Sequence, residues 1–452
     1  MPAHPLRAGA ATSNITPALG CSINGGMTDR QARHIHDELH ARALVLDDGR
    51  TQLALVVCDS CALPGAVIDA AKHLAHGHTG IPPAHMLVSA THTHSAPTAV
   101  AVFQSEPDAE YAAFLILRIA DAIRRASNNL APARIAWGSG SVPAHVFNRR
   151  WRMKPGTIPP NPFGRVDEVQ MNPPVGSPNL VEPAGPTDPQ LSLLAVVGER
   201  GEPLAVLANY SLHYVGGVPA EHISADYFGA FAVRLGELLG VSPWQDPPFV
   251  GIMSNGTSGN INNIDFLHPR PPRAPYEQIR LVAGDVAAEA HRVFQMLTFR
   301  DDVVLGAREC RMALERRLPT ADELAEARRT LAAGEGMPLT TLPEIYARET
   351  LLMAELPAQV ETVVQVLRVG ELGIAALPCE VFVETGLLIK QHSPLPATFV
   401  ISLANDYAGY LPTPEHHRLG GYETWRARSS FLEVDAEPKL RGRALELMAA
   451  LA

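Results

Sequence analysis

The chain has 452 residues, 46% of them hydrophobic and 19% charged, which suits a globular protein with a substantial core. Its formal net charge of −10 excludes the broad basic face that nucleic-acid binding needs, so no nucleic-acid partner is expected. No apolar run reaches the ~18 residues of a membrane span, so no transmembrane segment is expected either.

Residues 1–12 lack the apolar centre of an export signal, which points to a cytoplasmic enzyme. Residues 41–46 and 53–58 are short apolar runs between turn residues and read as buried strands. A helix over 68–75, a strand over 85–90 and a helix over 111–126 follow. This strand–helix alternation predicts an α/β fold, a layered domain with a mixed β-sheet and flanking helices. Residues 154–190 are Pro-rich and read as a loop packed over the site, because strand-like sequence resumes at 191–197 and 204–208. A helix is expected from 276 to about 296. Residues 310–360 are expected to form a peripheral helical insert, with helices over 320–332 and 345–356. Residues 363–369 and 372–377 read as a strand pair, 398–403 as another strand and 440–451 as a closing helix. All of this is expected to form one domain, 1–452.

The five cysteines, Cys21, Cys58, Cys61, Cys310 and Cys379, form no disulfide framework. Cys58 and Cys61 make a lone C-x-x-C beside an apolar strand, so they read as buried thiols in a reducing compartment.

The strand at 85–90 runs into Thr91-His92-Thr93-His94-Ser95. At a strand end, residues i and i+2 share a face, so both imidazoles can approach one metal, or one binds while the other handles protons. Alone, the pair also fits two hydrogen-bonded histidines. It is not followed by the Asp-His of the metallo-β-lactamases. His213 sits just beyond an apolar run, and by itself a lone histidine reads as structural. Glu380 follows another apolar run and reads equally as the charge at a helix N-terminus or as a ligand. Tyr407 and Tyr410, beside Gly409 and Pro412, read alone as loop packing.

Taken in order, the segments resemble the neutral, non-lysosomal ceramidase family. SATHTHSAP at 89–97 resembles its S-A-T-H-T-H-S-G-P, and the run ending Pro378-Cys379-Glu380 its strand ending P-x-E. YAGYLPTPE at 407–415 resembles its Y-x-G-Y-x-x-T-x-E, and ISADYFG at 223–229 its I-S-x-D-x-x-G. The likeness runs from about Gly9 to Tyr422. It implies zinc held by His92, His213, Glu380 and Tyr410, with His94 on the substrate side. It also implies that Tyr422 contacts the scissile group and that Arg149 lies near the substrate, Arg150 being the alternative. The implied activity is hydrolysis of a linear N-acyl amide by metal-activated water. The expected substrate is a lipid-like or small-molecule acyl compound. An ester or lactone hydrolase at the same site and a non-catalytic binding protein are the alternatives.

The sequence departs from the family in two places. The family's N-x-G-x-x-S-P-N loop here reads NGTSGNINN at 255–263, so its serine becomes Asn260 or Asn262, either able to donate to an oxyanion. The C-terminal immunoglobulin-like domain of the known ceramidases is not expected in this chain.

Overall fold

The computed structural model describes residues 5–334 and 336–452; residues 1–4, the start of the stretch read for an export signal, lie outside the described residues. The larger sheet is built from β1 Arg7–Asn14, β2 His40–Asp47, β3 Gln52–Cys58, β4 Met86–Ala90, β5 Ala131–Ser141, β6 Gln190–Gly198, β7 Pro203–Tyr210 and β8 Val250–Asn255. Their order across it is β8-β7-β6-β5-β1-β2-β3-β4. The two outermost pairs, β3/β4 and β7/β8, are parallel, and the inner pairs are antiparallel. Parallel neighbours need a crossover. Helix α1, Gly65–Thr79, lies in the first, and α3, Asp226–Leu238, in the second. Two further helices, α2 Ala109–Asn128 and α4 Glu277–Met296, complete the outer layer.

A second sheet runs β9 Leu305–Glu315, β10 Gln359–Val369, β11 Leu372–Ala376 and β12 Ala397–Ile401, in that order. Strands β11 and β12 are parallel, joined through α7 Val383–His392. A hairpin of α5 Ala321–Ala332 and α6 Leu342–Met353 lies between β9 and β10. A short helix α8, Pro414–Leu419, precedes the closing helix α9, Ala436–Ala449.

Side-chain alternation explains the layering. In β3, Ala54, Val56 and Cys58 pack under α1 and α2, whereas Leu53, Leu55 and Val57 face the second sheet. In the second sheet, Leu367 and Ile374 return that contact. Val364 and Ala375 point the other way, towards Ile389 of α7 and Leu440 of α9. Strands buried on both faces read as continuous apolar runs, and for this reason they were visible in the sequence. The layered α/β fold with a mixed sheet is the one expected.

Two expected segments differ in detail. The 310–360 insert is helical only over its hairpin, because 310–315 and 359–360 belong to paired strands β9 and β10. Strand β9 is a half-exposed edge with only its ends buried, so it lacks the apolar alternation that marks a strand. The Pro-rich stretch 154–190 is not structureless. Its Val169–Met171 and Leu180–Pro183 flank Arg150–Met153 in a three-stranded sheet. No helix among the described residues is long and apolar enough to cross a membrane.

Residues 402–405 tie both edges of the large sheet to the small one. Ser402 N donates to Asn255 O at 3.0 Å, Ala90 N to Leu403 O at 3.1 Å and Asn405 N to Val88 O at 2.7 Å. The C-terminal ends of β4, β7, β11 and β12 are thereby gathered on one side, where α/β sheets place their ligands. The side chain of Asn405 is the knot. Its Oδ1 accepts from Val88 N and from the buried Lys72 ammonium, and its Nδ2 donates to Gln365.

Burial pushes Lys72 down to about 8, with Glu309 and Asp69 opposing. The folded state thus binds fewer protons there than the unfolded state, and stability rises with pH between about 8 and the ordinary value of 10.5. Lys72→Met is expected to abolish this rise, so the parent gains on the order of 3 kcal/mol on the variant between pH 7 and 10.5. Denaturant unfolding at both pH values checks it; a stability difference that does not change with pH contradicts it.

Candidate functional site

His92, His213 and Glu380 come from three of those gathered strand ends. His92 lies two residues beyond β4, and His213 three beyond β7. Glu380 lies four beyond β11, in a short parallel pair with Tyr410–Leu411 that sets it directly opposite Tyr410. Strand register therefore brings Glu380 and Tyr410 together across a gap of thirty residues in the chain.

The His92–His94 pair is not set by strand alternation as expected. The strand has ended at Ala90, and His92 adopts a left-handed φ of 74°. Such a conformation costs a non-glycine residue about 1–3 kcal/mol. The loop holds it through Thr91 N to Cys58 O at 2.9 Å and His92 N to Ser60 O at 2.8 Å.

Each of the three imidazoles is oriented from behind by a backbone carbonyl. The Nδ1 of His92 meets Cys61 O at 2.7 Å, that of His213 meets Ser258 O at 3.1 Å and that of His94 meets Gly25 O at 2.9 Å. A carbonyl only accepts, so each Nδ1 carries a proton, and whenever a ring is neutral it turns an Nε2 lone pair inward. These lone pairs converge. His92 Nε2 lies 3.0 Å from His213 Nε2 and 3.1 Å from His94 Nε2. Glu380 Oε2 is 3.2 Å from His92 Nε2 and 3.9 Å from His213 Nε2.

The electrostatics fit a cation at this point. Burial, then Arg149 and His92, hold His213 well below the usual imidazole range, and burial, then His92, does the same to His94. Burial opposes protonation of His92 as well, but Glu380 outweighs it and favours an imidazolium. One Nε2 proton on His92 serves one acceptor and leaves the other lone pairs facing each other. Glu380 Oε2 is buried and accepts no hydrogen bond of normal geometry, His92 Nε2 at 3.2 Å being its nearest neighbour able to carry a proton. Orphaned buried carboxylate oxygens are costly, and a cation satisfies this one together with both histidines. The ligand atoms of His92, His213 and Glu380 all lie within 4.8 Å of one another.

The other expected residues divide. Tyr410 OH accepts from Arg149 Nη2 at 3.1 Å, and Arg149 Nη1 reaches to 3.5 Å from His213 Nε2. Arg150 instead points away from the site. It donates to Glu423 Oε2 at 2.6 Å and to Gly420 O at 2.5 Å, so the geometry separates the two arginines. Tyr422 lines the same small cavity, about 40 Å³, as His92, His94, Glu380 and Tyr410.

Asn260 and Asn262 are not where an oxyanion donor is needed, which corrects the expectation for them. Asn260 donates to Glu384 at 2.9 Å and accepts from Val383 N at 2.9 Å, pinning the start of α7. Asn262 donates to Asn172 Oδ1 at 2.7 Å and accepts from Ile264 N at 2.9 Å. Both amides are used up in loop structure, and neither lines the cavity. Gly259, between them and the site, must be glycine. A Cβ there would stand 2.6 Å from Glu380 O.

Several contributors carried no signal of their own in the sequence. Tyr407 OH donates to Glu380 Oε1 at 3.0 Å, and Tyr214 stacks on His94 with ring centroids 3.8 Å apart. Glu423 accepts from Arg149 Nε at 2.9 Å as well as from Arg150. Tyr214 adjoins His213 and Glu423 adjoins Tyr422, so proximity to a suspected residue was the available hint. Cys58 and Cys61 are free, buried thiols, but the backbone carbonyl of Cys61 is what orients His92, and any residue type has one.

The neutral/alkaline non-lysosomal ceramidase N-terminal family matches residues 7–264, more than half of the chain. No curated protein matches it. Among solved structures, the neutral ceramidase from Pseudomonas aeruginosa is similar with a TM-score of 0.73 at 20% identity, covering 99% of this chain and 74% of that one. A structure described as ceramidase complexed with C2 gives a TM-score of 0.71 at 20% identity, covering 99% of this chain and 75% of that one. At that identity the likeness is one of fold.

Glu423 is wholly buried between two guanidiniums. Glu423→Gln leaves both without a full counter-charge and is expected to destabilise the protein by about 3–5 kcal/mol in urea unfolding. A loss below about 1 kcal/mol, the value of an exposed pair, contradicts this assignment.

Proposed function

The chain belongs to the neutral/alkaline non-lysosomal ceramidase family, and from that premise we propose that it is a zinc-dependent hydrolase cleaving a linear N-acyl amide. The carrying observation is the convergence of His92 Nε2, His213 Nε2 and the buried Glu380 Oε2 on one point. Two neutral imidazoles, a carboxylate and the adjoining Tyr410 phenol are a donor set suited to zinc. A divalent cation held there supplies Lewis acidity, polarising an acyl oxygen and acidifying water.

The chain's own residues do the rest. Tyr407 fixes one oxygen of Glu380 and leaves the other for the cation. Tyr422 and Tyr410 line the cavity, and Arg149, bonded to Tyr410 from behind, adds the positive field that favours negative charge developing on the acyl oxygen. His94, kept neutral, stacked on Tyr214 and open at Nε2, moves the proton to the leaving nitrogen. The cavity holds little more than the scissile group, so the remainder of the acyl compound, lipid-like or small, lies outward over Val102 and Phe103. His92 and His213 fall inside the matched segment, and Glu380 and Tyr410 outside it, which supports reading 1–452 as one functional unit.

Metal analysis of the purified chain is expected to find about one zinc per chain, largely lost in Glu380→Gln and His213→Ala. Chelation abolishes turnover of N-acyl amides. His94→Ala is expected to lower kcat/KM on the amide by roughly 10²–10⁴-fold and on the matching ester by much less, since alkoxide leaves with less acid help. Equal losses remove this distinction and contradict proton transfer from His94 to the leaving nitrogen. A zinc-loaded chain that turns over no acyl compound supports a binding protein instead.

A further inference from the structure

A second cavity, about 520 Å³, opens between α3 and α4 on the far side of residues 224–226 from the metal centre. Its size matches sites for small organic ligands, commonly about 300–1,000 Å³. Ala230 and Val233 of α3 and Ile279 and Ala283 of α4 make its walls apolar, and Arg42 lies at its floor. The Arg42 side chain is nine-tenths buried. Its Nη1 donates to Asp59 at 2.5 Å, and its remaining nitrogens donate to no described residue. Gly229 lets α3 pass over this arginine, since a Cβ there would stand 2.6 Å from Ala225 Cβ.

The charges around the cavity are unequally satisfied. Asp37 accepts from Ser224 Oγ and Ala225 N, and Asp226 from Val215 N, Gly216 N and Tyr227 N. Glu38 accepts from Asn14 and Glu237 from Arg234. Each lining acid therefore has donors of its own. Arg42 keeps a free edge, and Arg280 at the rim pairs with no described acid.

We propose that this cavity is a second binding site, taking an amphipathic monocarboxylate whose head group meets the free edge of Arg42 and whose hydrocarbon lies between α3 and α4. A guanidinium edge presents two parallel N–H groups that match a planar carboxylate. A dianionic head would be repelled by Asp37 and Asp226. The site adjoins the metal-ligand candidates without sharing a side chain with them. Ser224 O accepts from Thr93 Oγ1 at 2.8 Å, between His92 and His94. Asp226 accepts from Val215 N and Gly216 N, both at 2.9 Å, just after His213. Binding here does not depend on which bond the metal centre cleaves.

Calorimetry on the full chain, with sodium decanoate as probe and decanol as its uncharged control, tests this. One decanoate is expected per chain, bound at least about tenfold more tightly than decanol and unchanged after chelation. Arg42→Gln is expected to weaken it, but it also strands the buried Asp59. Gly284→Leu is the cleaner variant, because a Cβ at Gly284 meets nothing within 4 Å and the residue lines the cavity. It is expected to keep its Tm and to lose decanoate affinity by about tenfold or more. The proposal is overturned by absent binding, by decanol binding as well as decanoate, by loss of binding with the metal, or by Gly284→Leu binding like the parent.

Discussion

The donation of three histidine Nδ1 protons to backbone carbonyls governs the site. Cys61, Ser258 and Gly25 each place a carbonyl behind one imidazole, and that single bond decides which nitrogen faces inward. Were any of these bonds absent, the ring could turn a proton towards its neighbours and relieve the crowding of lone pairs. With all three in place, the Nε2 atoms of His92, His94 and His213 crowd together beside Glu380 Oε2, with the Arg149 guanidinium reaching only His213. This is the arrangement on which the proposed cation site rests.

That gap exists because distant strand ends are brought to one place. The segment 402–405 bonds to β8 on one side and β4 on the other, so the edges of the large sheet and the end of β12 share one seam. The cost is visible at the seam itself. Lys72 is buried against Asn405, and His92, Leu403 and Asn405 all take left-handed backbone angles. Strain and buried charge of this kind are borne where packing over-determines the conformation. Around the site the same holds for the Arg149–Glu423–Arg150 cluster, where one buried carboxylate serves two guanidiniums. One of those guanidiniums faces the cavity side and the other anchors the loop at Gly420.

The fold was legible where burial is two-sided. Strands such as Gln52–Cys58 and Gln190–Gly198 are apolar at nearly every position, and helices such as Glu277–Met296 carry an apolar stripe. It was least legible at edges and loops. Strand β9 leaves all but two of its residues partly or fully exposed, and the strands within 154–190 are three and four residues long and rich in polar neighbours. Periodicity needs several residues in one environment, and these segments do not provide them.

Residue types and their order were enough to nominate His92, His213, Glu380 and Tyr410, because the chemistry of a ligand belongs to the side chain and survives without coordinates. Apolar periodicity was likewise enough for a layered α/β chain, since water drives those residues inside wherever they fall. Only the tertiary structure decided that Arg149 rather than Arg150 faces the site, that Asn260 and Asn262 are bound into their own loop, and that Tyr407, Tyr214 and Glu423 belong to the machinery. Each of those outcomes depends on a direction and on a partner elsewhere in the chain, from 27 residues away for Tyr407 to 261 for Arg149, and direction is a property of the folded backbone, not of the residue that hangs from it.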